Sequence, residues 1–211
     1  MRIITISREF GSGGRELGKR LAEHIGFDYY DREIISAIAK EQGMDEEYIE
    51  RTADSHEWRT YPVTFRHSFS SASIMGNPQI SLLLEQKRVI EKIAELGRDC
   101  VIVGRNADVI LEKYQPFSIF VCAEMDSRIR RCTEKADDNE KISSKQMEQN
   151  IKRIDKNRSK TRELICGYEW GNPATYDVTV NTAYWNMNAL VPAVAEFAMR
   201  WFGGNNENTI I

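Results

Sequence analysis

The residues best suited to chemistry lie near the amino end, in the run Gly11-Ser12-Gly13-Gly14-Arg15-Glu16. Ile3, Ile4 and Ile6 precede them and can bury a strand. An amphipathic pattern follows, with Leu17, Leu21 and Ile25 on one helical face. Strand, glycine turn and helix in that order favour one use, the binding of phosphate. Glycines let backbone N–H groups close around an anion, and the helix presents its positive end to the same spot. The competing reading is a plain tight turn.

The loop departs from the usual phosphate-binding pattern. In the register that begins where the strand ends, the lysine of G-x-x-x-x-G-K-[ST] falls on Gly14 and the hydroxyl residue on Arg15. Arg15 offers a guanidinium, which binds phosphate bidentately. It equally fits a surface residue of the first helical turn, and both readings stay open. A second register, Gly13 to Lys19, matches the same pattern but sets Leu17, Gly18 and Lys19 inside the helix, leaving no loop to wrap a phosphate. A dinucleotide fingerprint fails because its third glycine position is Glu16, although Asp31 at the end of the next strand keeps that alternative alive.

Arginines and carboxylates recur further along. Arg105 follows Gly104 directly after the apolar run Cys100–Val103, which puts it at the carboxyl edge of a parallel sheet, where ligands of α/β proteins bind. A surface ion pair is the alternative. Asp108, one turn on, either orients Arg105, contacts substrate or caps a helix. Arg128, Arg130, Arg131 and Lys135 make one helix strongly cationic, and Arg128 and Arg131 share a face. Such runs are commonly solvated surfaces. Asp155 and Arg158 are likewise three apart, a spacing that by itself makes a modest helix pair. His24, His56 and His67 are scattered, and no Ser/His/Asp or Cys/His set is legible.

The elements that must position these groups alternate. Strands are expected at about 2–6, 27–30, 100–103, 117–121 and 177–180, and helices at about 14–25, 32–42, 45–53, 79–96, from 125, 143–163 and 187–202. Ser143 and Gln146 spell a capping box. Short, continuously apolar strands between helices indicate a five-stranded parallel sheet covered on both faces, an α/β fold of three layers. We read residues 1–211 as a single domain, with a flexible insertion over 54–78 and a frayed tail over 203–211.

Composition sets limits. With 211 residues the chain can bury one substantial core. A net charge of −3 argues against a general nucleic-acid binder, whose affinity would rest on excess Lys and Arg. Cys100, Cys122, Cys132 and Cys166 form no C-x-x-C pair and read as reduced thiols. Because the sequence opens on a strand no signal peptide is expected, and no apolar run approaches the roughly 20 residues needed to span a bilayer. A cytoplasmic protein without membrane partners is expected.

With its later motifs included, the chain resembles the cytidylate-kinase-like family of P-loop proteins and, more distantly, the bacterial cytidylate kinases. The resemblance rests on ISREFGSGGRELGKRLAEHIGFDYYDREII at Ile6–Ile35, CVIVGRNADVIL at Cys100–Leu111, RIRR at Arg128–Arg131, IKRIDKNR at Ile151–Arg158 and GYEWGNPATYDVTVNT at Gly167–Thr182. It implies a P-loop nucleoside monophosphate kinase fold with an acceptor-binding insertion and an arginine-bearing lid, here over 125–163. It also implies phosphoryl transfer from ATP, with Mg²⁺, to a nucleotide such as CMP or dCMP.

By that resemblance Gly11 to Glu16 form the donor phosphate loop. Arg15, Arg128 and Arg131 stabilise the moving charge, and Asp31, Arg32, Arg105, Asp108, Asp155 and Arg158 hold the acceptor. Within that set the Asp155–Arg158 pair implies recognition of cytosine, with Arg153 and Arg162 as possible additions. Trp170, Gly171 and Asn172 would form a loop beside the adenine or the lid, or Trp170 a hydrophobic plug. Metal ligands are not assigned. The altered loop leaves two alternatives: a nucleotide- or phosphometabolite-binding regulator without turnover, and a kinase of another small phosphorylated acceptor.

Overall fold

The computed structural model describes residues 1–31, 35, 78–135 and 142–207. Arg32, the helices expected at 32–42 and 45–53 (Ile35 apart) and the insertion expected at 54–78 (Pro78 apart) lie outside the described residues.

Five parallel strands form one sheet: β1 (Ile3–Arg8), β2 (Asp28–Tyr30), β3 (Cys100–Val103), β4 (Phe117–Cys122) and β5 (Val178–Asn181), in the order β2-β3-β1-β4-β5. The β1 strand is central because it is apolar on both faces; Ile3, Ile4 and Ile6 are all buried. It pairs with β3 from Ile3↔Cys100 to Ile6↔Val103 and with β4 from Ile4↔Phe117 to Arg8↔Val121. The helices are α1 (Gly14–Ile25), α2 (Pro78–Glu95), α3 (Ala107–Ile110), α4 (Met125–Glu134), α5 (Ser144–Cys166) and α6 (Met187–Glu207).

Leu17 and Leu21 of α1, Val89, Ile90 and Ile93 of α2, and Leu190, Val191 and Ala198 of α6 close the core over the sheet. The helix-interior position of Gly18 is confirmed: a Cβ there would lie 2.5 Å from Val103 Cγ2, so α1 sits directly on β3 at that point. The predicted capping box is present, with Ser143 Oγ accepting from Gln146 N and Gln146 Oε1 accepting from Ser143 N. One expectation fails at the carboxyl end. The helix expected to stop near 202 continues through Gly203 and Gly204 to Glu207, because backbone i→i−4 bonding propagates past two glycines that the composition alone marks as a stop.

A smaller apolar cluster stands apart from the main core. Phe10, in the glycine loop, packs with Cys132 of α4 and Met147, Ile151 and Ile154 of α5. The expected lid helices therefore rest on the loop itself.

Candidate functional site

The loop between β1 and α1 turns twice into left-handed backbone, at Gly11 (φ 78) and Gly13 (φ 82). Gly11 has no room for a side chain: a Cβ would lie 2.9 Å from Cys132 Sγ and 3.0 Å from the Arg128 carbonyl. Gly13 is the residue before α1, and no side chain caps the helix, so its first N–H groups are left to the loop. Ser12 is fully buried; its hydroxyl donates to the Glu9 carbonyl at 2.9 Å and its carbonyl accepts from the Thr182 hydroxyl.

Beneath the loop lies an ionic clamp. Arg128 is 4% exposed, and its Nε donates to the Phe10 carbonyl at 2.7 Å. Its Nη2 pairs with Asp155 Oδ2, and its Nη1 lies 3.4 Å from Glu9 Oε1. The other oxygen of Asp155 accepts from the Phe10 amide at 2.8 Å, and Arg158 donates to the Arg8 carbonyl at 2.8 Å. Arg128 was expected over a transferring group, and Asp155 with Arg158 against an acceptor base. In the structure Arg128 and Asp155 bind the Phe10 backbone, and Arg158 binds the Arg8 carbonyl at the end of β1. The physical reason is local: a buried guanidinium needs a carboxylate and carbonyls, and the strand-to-loop turn offers both. Arg153 lies on the exposed side of α5.

Above the loop stands Arg131. Its Nη1 donates to the Gly11 carbonyl at 3.2 Å and its Nη2 to the Thr182 carbonyl at 2.8 Å. Burial lowers its pKa, with Glu16 opposing and Arg130 reinforcing that shift, yet an arginine stays cationic at neutral pH. Glu16, in the first turn of α1, meets Lys135 Nζ at 2.7 Å and Arg20 Nη2 at 2.8 Å. Burial pushes its pKa up, but Lys135, Arg20 and Arg131 outweigh that and hold it below the usual range. Cys132, between clamp and loop, has its thiol pushed up to about 11 by burial.

The far side of the site gathers at the carboxyl ends of β2 and β3. Asp31 is buried and accepts from Arg15 Nε at 2.7 Å and from the Tyr29 hydroxyl at 3.1 Å. Burial, then the Asp31 charge, raises the Tyr29 pKa well above its ordinary value. Arg15 thus turns along the sheet edge toward β2. Arg105 follows Gly104 in left-handed backbone (φ 58), at the edge where the sequence puts it.

Asp108 pairs with Arg162 at 2.5 Å, and Arg162 is 2% exposed. Burial lowers the Arg162 pKa, but Asp108 outweighs it and the net shift is upward. Asp108 is therefore committed to a helix–helix tie rather than to capping α3. Trp170 stands edge-on against Phe120 at 5.5 Å, and Phe120 meets Tyr176 at 5.0 Å.

Sequence reasoning passed over Arg8, Glu9, Phe10 and Thr182. The signal for the first three was a charged pair and an aromatic between an apolar strand and a glycine loop. Thr182 closes the motif TVNT and had no such mark.

An apolar parallel sheet, a left-handed glycine loop opening an uncapped helix, and arginines at the carboxyl edge together define a P-loop fold. Residues 3–184 match the profile of the cytidylate kinase-like family, and the chain belongs to that family. The cytidylate kinase of Thermococcus kodakarensis is 25% identical over 195 residues, covering 91% of this chain and 85% of that protein. The cytidylate kinase of Methanopyrus kandleri is 24% identical over 194 residues, covering 87% and 86%. Among solved structures, an uncharacterized protein of Eubacterium ventriosum superposes with a TM-score of 0.69 at 25% identity, over 94% of this chain and 98% of that one. Shikimate kinase of Bacteroides thetaiotaomicron, at TM-score 0.53 and 12% identity over 93% and 97%, shares the fold.

Proposed function

We propose that this protein transfers a phosphoryl group from ATP to a nucleoside monophosphate, with CMP and dCMP as the first acceptors to test. The observation that carries the reading is the presence of two sets of cations at the carboxyl end of one sheet. Arg131 lies against the glycine loop at the α1 N-terminus, while Arg105 stands at the end of β3. Such a transfer needs little covalent help, because an acceptor phosphate is already ionised; positive charge and alignment do the work.

The residues fit a triphosphate. The N–H groups of Gly13 to Glu16 would hold its oxygens, and the missing side chain at Gly11 lets the loop stay seated on α4. ATP supplies the transferable phosphoryl group and Mg²⁺ would neutralise its charge. For Mg²⁺ the fit is poorer: Arg15 occupies the usual hydroxyl position, and among the described residues no group of three or more His, Cys, Asp or Glu side chains gathers. A metal bound mainly through phosphate oxygens and water meets that constraint. Arg131 would move from two backbone carbonyls to the developing charge, Arg105 would bind the acceptor phosphate, and Asp31 would fix the acceptor side through Arg15 and Tyr29. No helix among the described residues is long and apolar enough to cross a membrane, and the proposed setting is cytoplasmic.

A binding role without turnover is the competing reading, favoured by the loss of both usual side chains at Gly14 and Arg15. One experiment separates them. Purified protein with ATP and Mg²⁺ is offered a panel of nucleoside monophosphates and other small phosphorylated acceptors, and ADP is measured. Turnover of a monophosphate is expected, with Arg105→Ala lowering it by about 10²–10³-fold. Nucleotide binding with no ADP from any acceptor would leave the regulatory role standing instead.

A further inference from the structure

Gly14 occupies the position at which a P-loop carries its lysine, and the structure shows why no side chain stands there. A Cβ at Gly14 would lie 2.6 Å from Arg8 Cβ, 3.0 Å from Arg8 Cγ and 3.2 Å from Val121 Cβ. The aliphatic stem of Arg8 fills that space. Arg8 is the last residue of β1, its carbonyl is held by Arg158 at 2.8 Å, and its side chain runs across the carboxyl edge of the sheet. The guanidinium ends against Gly104. A Cβ there would fall 1.7 Å from Arg8 Nη1, 2.7 Å from Cζ and 3.0 Å from Nη2. Gly104 is also left-handed, at φ 84, and directly precedes Arg105.

Two glycines therefore leave a channel for one arginine, which ends beside the proposed acceptor arginine. Arg15 does not take this place, because its Nε lies 2.7 Å from the buried Asp31 carboxylate. The charge of Arg8 reaches into the same corner, where it opposes the upward shift of Tyr29.

We propose that Arg8 supplies the phosphate-binding cation that P-loop kinases take from the lysine after the second glycine, with Gly14 and Gly104 kept bare to admit it. The inference rests on the phosphoryl-transfer reading above. It places the cation on the strand that enters the loop, aimed between donor and acceptor, rather than on the helix that leaves it. An arginine suits the longer reach, since its planar fork can contact two oxygens at once.

The test is calorimetric binding of inorganic triphosphate and of ATP to the full chain, with melting curves to confirm folding. Arg8→Met keeps the stem and removes the charge; about 10–100-fold weaker triphosphate binding is expected. Arg8→Gln serves if Arg8→Met melts below the assay temperature. Arg8→Lys should recover most of the loss, which a purely packing role would not require.

The sharpest variant moves the charge. Arg8→Gly combined with Gly14→Lys opens the space at Gly14 and refills it with a lysine, and should bind triphosphate more tightly than Arg8→Gly alone. Failure of that recovery would confine Arg8 to packing or to the acceptor and overturn the substitution. So would Arg8→Met binding within twofold of the parent. A parent chain that binds neither triphosphate nor ATP would overturn the inference and the phosphoryl-transfer reading together. Parent binding that Arg8 variants leave intact overturns this inference alone.

Discussion

Arg131 joins three segments through two bonds: it belongs to α4, and its donors reach the carbonyls of Gly11 in the loop and Thr182 after β5. Neither bond is strong by itself. From a half-buried guanidinium still open to water, each contributes nearer the about 0.5–1.5 kcal/mol of an ordinary hydrogen bond than the larger figure for a buried charged donor. The same guanidinium placed over developing charge would be worth far more in rate. Arg131→Ala is therefore expected to lower kcat by about 10²–10³-fold while costing only about 1–2 kcal/mol of stability. Arg131→Lys should restore part of the rate, since it keeps charge but not the fork. Steady-state kinetics beside urea denaturation checks this. A rate loss no larger than the stability loss would leave Arg131 a strut between α4 and the loop.

At the scale of elements, α4 and α5 hold the loop by two means, an apolar knob at Phe10 and the Arg128–Asp155–Glu9 clamp. The clamp is the more brittle. Asp155→Ala would leave Arg128 buried beside Glu9, 3.4 Å away, and removing one partner of a buried pair costs about 3–5 kcal/mol. We expect a loss at the lower end of that range, together with weaker triphosphate binding as the Phe10 amide loses its acceptor. Replacing the pair by Arg128→Met with Asp155→Leu should return much of the stability, because two apolar groups of similar size avoid the unpaired charge. Chemical denaturation of the single and double variants decides the point. Equal stability of parent and Asp155→Ala would show that the clamp is not buried in solution.

For the whole molecule, ion pairs at opposite ends tie stability to acidity. Arg2 bonds both oxygens of Asp99, joining the start of β1 to the turn before β3. Burial raises the Asp99 pKa, but Arg2 outweighs it and the net shift is downward, as it is for Glu16 on α1. A carboxylate whose folded pKa lies below its unfolded value, near about 4, contributes its full stability above that unfolded value. That contribution is lost as pH falls through the depressed folded values. The Tm should therefore be level from about pH 7 to about pH 5 and drop below that. Asp99→Asn with Glu16→Gln should lower the plateau and flatten the drop. An unchanged acid limb in that double variant would remove both groups from the account.

Much of this protein could be read directly from its residues. The apolar runs Ile3–Ile6 and Cys100–Val103, the face of Leu17 and Leu21, and the Ser143–Gln146 cap are local signals, and each element formed where its own sequence favours it. The glycine loop and the placement of Arg105 after β3 were legible for the same reason, because a strand end fixes where the next residues stand. Side-chain partnership was not. The partners of Arg128, Asp155 and Arg158 within the chain, namely Glu9, Phe10 and the Arg8 carbonyl, carry no mark in the sequence. Arg15 turns to Asp31, and the stem of Arg8 takes the place of a side chain at Gly14. Such choices depend on which charges become buried together, and burial brings together residues more than a hundred positions apart. The sequence determined the sheet, the loop and the cations; tertiary packing decided which carbonyls and carboxylates each cation meets.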